Sequence, residues 1–177
     1  LVIHLPTLLE EIAMLHDPAS GTALDPWTAS AGWNRRLIYT HGGGCVTGWY
    51  RQGESTGGVV DDLMLRQGYA VASSSLNVFG NNCSDLLAAE TMMMVKERVA
   101  ETYGPIRYTM GAGCSGGSIM QLNIAAAYPG LLDGIQPNCT YPDTFTTAIE
   151  VMECGLLGAR YYLTPNGSAL TTAQRNA

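Results

Sequence analysis

The chain has 177 residues, of which 46% are hydrophobic and only 14% charged, with 21 glycines and a formal net charge of −6. That length suits one domain with a sizeable core, and the composition excludes a disordered or fibrous chain. Lys/Arg do not cluster beyond Arg35-Arg36, which argues against a nucleic-acid partner, and no apolar run approaches the roughly 20 residues a membrane helix needs.

Residues 1–15 are apolar apart from a few polar positions including Glu10 and Glu11, and predict a short helix. Residues 16–33 carry Pro18, Gly21, Pro26 and Gly32 and read as a loop. Residues 35–40 (Arg-Arg-Leu-Ile-Tyr-Thr) predict a strand that runs into His41-Gly42-Gly43-Gly44 and a loop to residue 58. A helix is predicted over 59–67, stopped by Gly68, and a strand over 69–76. Ser84 is an N-cap candidate with Asp85 in the first turn of a helix that ends near Tyr103, before Gly104-Pro105. Its Met92-Met93-Met94 run is read as core packing rather than a metal site. Residues 106–110 predict a buried strand, 118–128 a helix ending before Pro129-Gly130, 134–136 a further strand and 143–157 a helix; Asn166-Gly167 marks a turn.

Strands alternating with helices predict an α/β fold, a mostly parallel sheet with helices on both faces. Ligands of such sheets bind beyond the C-terminal strand ends. The loops after residue 40, at 77–83 and at 113–117 all fall there. The expected organisation is a loop-rich segment over 1–33, the core over 34–140, and the start of a lid or insertion over 141–177.

The central motif is Gly113-Cys114-Ser115-Gly116-Gly117, between a predicted strand and a predicted helix. Small flanking residues permit a tight turn that exposes the serine hydroxyl, and the helix aims its positive end at the same point. Ser115 is therefore the candidate catalytic nucleophile; the competing reading is a glycine-rich turn that only packs helix against sheet. Cys114 is off the register that centres on Ser115. An ester-cleaving serine needs amide donors for the oxyanion of its tetrahedral intermediate. Gly116 is the first candidate, and Gly44 or Cys45, with Gly43 behind them, the second.

A serine hydroxyl also needs a base. None of the residues after Ser115 is histidine; the histidines are His4, His16 and His41. His41 opens the glycine loop, where packing suits it better than proton transfer. Asp133 and Asp143 are acid candidates by residue type only. The acid and base are therefore expected from sequence downstream or from a second chain. Because the chain starts at Leu1, an upstream segment is expected as well. No histidine pair, closely spaced Cys-x-x-Cys or acidic calcium loop is present, so neither metal nor cofactor is expected.

The five cysteines, 45, 83, 114, 139 and 154, lie beside predicted strand ends and favour an oxidising compartment, hence a secreted or periplasmic protein. The odd count points to a partner outside the chain or a free thiol. The sequons at Asn82, Asn138 and Asn166 are candidate glycosylation sites.

From Arg36 to Cys139 the chain resembles the α/β-hydrolase superfamily, through the glycine loop, the Ser115 motif and Tyr128-Pro129-Gly130-Leu131-Leu132-Asp133-Gly134. The Gly-Cys-Ser-x-Gly form is similar, more narrowly, to tannases and fungal feruloyl esterases, with Gly116 in place of a threonine and Gly117-Ser118 in place of Gly-Gly. The resemblance implies an α/β-hydrolase fold, incomplete in this chain, and a secreted serine esterase acting on phenolic esters or polyester oligomers. It also implies that Cys114 pairs with a cysteine outside this chain, leaving Cys45–Cys83 and Cys139–Cys154 as possible pairs. A serine peptidase or amidase on the same fold and a non-catalytic binding module are the competing readings.

Overall fold

The computed structural model describes residues 9–21, 23, 25–44, 55–140, 143–162 and 169–176. Its central strand β2 (Arg36–Gly42) lies between β3 (Ala70–Val78) and β4 (Tyr108–Cys114), both parallel to it. Adding β5 (Gly134–Asn138) beside β4 and β1 (Glu10–Ala13) beside β3 gives the order β1-β3-β2-β4-β5, with only β1 antiparallel. This is the expected α/β architecture: a five-stranded, mostly parallel mixed sheet with helices.

Alternation along the strands divides the core into two layers. Leu37 and Tyr39 of β2 face one way and pack with Ala88, Met92, Val95 and Val99 of α2 (Asp85–Tyr103) and Met120 and Ile124 of α3 (Gly116–Ala127). Ile38 faces the other way, with Val59, Val71 and, from α1 (Asp62–Arg66), Met64 and Leu65. Helices therefore lie on both faces. The α2 stripe at 88, 92, 95 and 99 has helical spacing, and each fully buried Val or Met contributes on the order of 2 kcal/mol. Ser84 caps α2, its hydroxyl accepting from the Leu87 amide at 3.4 Å. Met92 is buried, whereas Met93 and Met94 are exposed.

Several elements depart from the sequence expectation. Residues 10–13 form strand β1, not part of a helix. The run pairs with the free edge of β3, Ile12 and Ala13 enter opposite core layers, and buried Glu10 meets Arg98 of α2 at 3.6 Å. Helix α1 starts later than expected because the Asp61 carboxylate accepts from the Met64 amide at 3.0 Å and caps it there. Strand β4 starts later and runs on to Cys114, so the glycine-rich approach to Ser115 is itself strand. Tyr108 and Met110 on it are exposed rather than buried: Met110 shares the sheet face of its register partner Ile38, where α1 packs on β3 and not on β4.

Contacts divide the chain into a unit up to Thr140 and a second from Tyr141. The second contains α4 (Thr144–Leu157), capped by Asp143, a π-helical turn at Gly158–Tyr162 and α5 (Thr172–Asn176). Along α4, Phe145, Ile149, Met152 and Leu156 are exposed. Among the described residues, no helix is long and apolar enough to cross a membrane.

Candidate functional site

Ser115 stands between the last residue of β4 and the first residue of α3, at φ 59°, ψ −120°. A serine at positive φ costs on the order of 1–3 kcal/mol and persists only where its surroundings over-determine it. They do so here. The Ser115 amide donates to the Asn138 carbonyl at 3.1 Å, and the Ser115 carbonyl accepts from the amides of Ser118 (2.9 Å) and Ile119 (3.1 Å). Cys114 and Cys139 form a disulfide with Cα atoms 5.1 Å apart, fastening the end of β4 to the residue after β5.

The glycines of the motif are there for contact. A Cβ on Gly117 would overlap the His41 carbonyl, and one on Gly116 would overlap the Gly44 carbonyl and come within 2.7 Å of Phe79 Cβ. A Cβ on Gly43 would lie 3.8 Å from Ser115 Cβ. Gly44 has φ 104° and crosses Gly80 so closely that a Cβ would sit 2.9 Å from its Cα. The amides of Phe79 and Gly80 donate to the carbonyls of Gly42 (3.0 Å) and Gly43 (3.1 Å). The 42–44, 79–80 and 113–117 segments thus meet at the C-terminal ends of three parallel strands.

Ser115 is half-buried. Gly116 opens α3, where the N–H has no partner within the helix and the helix dipole places its positive end. The arrangement presents a hydroxyl beside main-chain donors, which suits an acyl group whose carbonyl oxygen gains negative charge. Beneath it, fully buried Gln121 donates from Nε2 to the carbonyls of Gly113 (3.2 Å) and Gly117 (3.3 Å), and accepts at Oε1 from the Gln136 amide (3.1 Å). Gln121 and Phe79 were not singled out from sequence, and Asn138 was singled out only as a sequon. The available signal for Gln121 was a polar residue in the mainly apolar run Ile-Met-Gln-Leu.

The remaining candidates are placed as follows. Cys45 and His4 lie outside the described residues, as does the Asn166 sequon. The disulfide expectation is corrected: Cys114 takes Cys139, the parallel register from Met110↔Gly134 to Cys114↔Asn138 having brought β5 alongside β4, so Cys139 is not Cys154's partner and Cys114 needs none outside. Cys83 is half-buried and Cys154 exposed. Asn82 is buried with Nδ2 donating to the Leu76 carbonyl at 3.0 Å, which closes that sequon to a glycan; Asn138 is exposed.

His41 is buried against Tyr39, ring centroids 5.3 Å apart, and neither ring nitrogen has a well-aligned partner. Burial holds its pKa down at about 4, with the backbone of Ala112 and Tyr39 pulling weakly the other way. It is a weak base enclosed under the glycine loop. His16 lines two adjoining hollows of about 280 and 450 Å³ at the opposite end of the sheet, where β3 begins. Asp133 holds strand starts together: its carboxylate accepts from the Thr109 amide at 2.7 Å and its amide donates to the Thr109 carbonyl at 2.9 Å. The Asp143 carboxylate accepts from Thr146, which lowers its pKa.

The family model described as a tannase-like family of unknown function (DUF6351) matches residues 8–177. No curated protein matches the chain.

Proposed function

The chain belongs to this tannase-like family, and from that premise we propose that it carries the nucleophile and oxyanion half of a secreted serine hydrolase of carboxylic esters. The observation that carries the reading is Ser115 at φ 59°, ψ −120°, on a strand-to-helix turn facing the 42–44 loop. Ser115 Oγ attacks the ester carbonyl carbon while its proton passes to a base. The carbonyl oxygen becomes the oxyanion, held by the Gly116 amide and an amide from Gly43, Gly44 or Cys45. The intermediate collapses, the alcohol leaves with a proton, and the acyl group stays on Ser115. Water then attacks the acyl-enzyme and releases the acid.

His41 does not suit the role of base, and no histidine follows Ser115. The base and its acid are proposed to come from outside these 177 residues, as a further segment or a second chain. The tannase-like description favours phenolic esters, with polyester oligomers a related class. The Cys114–Cys139 disulfide supports an oxidising compartment.

The test is labelling of the intact protein with a fluorophosphonate, with Ser115→Ala as control, beside hydrolysis of chromogenic short-chain esters and matched anilides. Labelling at Ser115 with ester cleavage is the expected result. Preference for the anilides would move the reading to an amidase. Absence of both labelling and turnover would reduce the site to a binding module.

A further inference from the structure

Gln121 is fully buried, and both its amide nitrogen and its carbonyl oxygen hydrogen-bond to main-chain atoms. Its Nε2 donates to the carbonyls two residues before and two residues after Ser115, at 3.2 and 3.3 Å, and its Oε1 accepts from the Gln136 amide of β5 at 3.1 Å. One side chain therefore joins the end of β4, the first turn of α3 and β5. Space for the amide is reserved by Gly111, where a Cβ would stand 3.2 Å from Oε1. A buried amide with every group satisfied specifies one geometry; an apolar side chain of the same size would leave the Gln136 amide and the Gly113 carbonyl without these partners.

We propose that Gln121 is a positioning residue that holds the Ser115 turn in its left-handed conformation. The proposal rests on the serine-hydrolase reading. Gln121 has no exposed surface and touches no substrate, so its removal acts on turnover rather than on binding.

In the full protein, Gln121→Met should lower kcat for a chromogenic ester by about tenfold or more with KM changed less than about twofold, and slow fluorophosphonate labelling in parallel. In Gln121→Glu the carboxylate would face two carbonyls, while its protonated form can donate to one. The ratio of variant to unaltered activity, which cancels the titration of the catalytic base, should therefore rise as pH falls. A folded Gln121→Met protein with native kcat, or a loss expressed in KM alone, overturns the proposal. If Gln121→Met does not fold, a Gln121→Glu ratio that is flat with pH overturns it. Should unaltered Ser115 resist the fluorophosphonate, the serine-hydrolase reading falls separately, and amide hydrogen exchange over residues 113–118 decides: faster exchange in Gln121→Glu supports the positioning role and unchanged exchange ends it.

Discussion

The Ser115 amide donates to the Asn138 carbonyl over 3.1 Å, and the residues beside each, Cys114 and Cys139, share a disulfide. A main-chain hydrogen bond and a covalent bond thus tie two adjacent residue pairs. Cys139 itself has φ 48°, so both ends of this tie hold non-glycine residues in the left-handed region. The disulfide closes a loop with a sequence separation of 25. On the chain-entropy account such a bond stabilises by about 3 kcal/mol. The double variant Cys114→Ser, Cys139→Ser should lower the thermal midpoint accordingly. It should also slow ester cleavage beyond the loss of folded protein, as read from activity at a temperature where both proteins are fully folded.

Gly117→Ala tests the contact with β2. The new methyl overlaps the His41 carbonyl, a backbone atom that cannot rotate away. A loss of about 1–3 kcal/mol is expected in urea unfolding, with reduced labelling of Ser115. Gly155→Ala, on a helix where a Cβ meets nothing within 4 Å, should leave labelling unchanged and stabilise by about 0.5–1 kcal/mol, the opposite sign.

His41 makes stability depend on acid. Its folded pKa, about 4, lies below the ordinary histidine value because burial disfavours the charged ring. The unfolded chain therefore binds the extra proton first. Stability is unaffected by this group above about pH 6.5 and declines as pH falls from there toward 4, by as much as about 3 kcal/mol. His41→Phe keeps a ring against Tyr39 and removes the titration. Urea midpoints at pH 7 and pH 4.5 should differ less in the variant than in the unaltered protein.

Glu10 works in the opposite sense. Burial raises its pKa, and Arg98 opposes that rise. A carboxyl with a raised folded pKa costs stability as pH climbs through its titration. Arg98→Leu removes the compensating charge and should cost about 1–3 kcal/mol at pH 8, the partner being partly exposed, and less at pH 5. Glu10→Gln in the same background should restore most of the loss.

What sequence could reveal here follows from how local each signal is. The α2 stripe, its Ser84 cap and the alternation of strands with helices are written within short stretches, and they recovered the sheet architecture. Strand β1 is four residues whose conformation is decided by the exposed edge of β3, sixty positions away, so periodicity alone misassigned it. The Cys114–Cys139 pairing depends on β4 and β5 lying side by side. The family resemblance directed Cys114 elsewhere. The meeting of the glycine loop with the Ser115 turn was legible because both motifs terminate neighbouring parallel strands. Gln121 was not, because its three partners become neighbours only after the sheet and α3 have closed on one another.

Where Gly44 crosses Gly80 and Gly117 lies on the His41 carbonyl, main chain rests directly on main chain. No rotamer change can absorb an added atom at such a crossing, so variation in this corner cannot be accommodated one side chain at a time. Change there has to come in coordinated sets of residues, while the crossing itself stays bare.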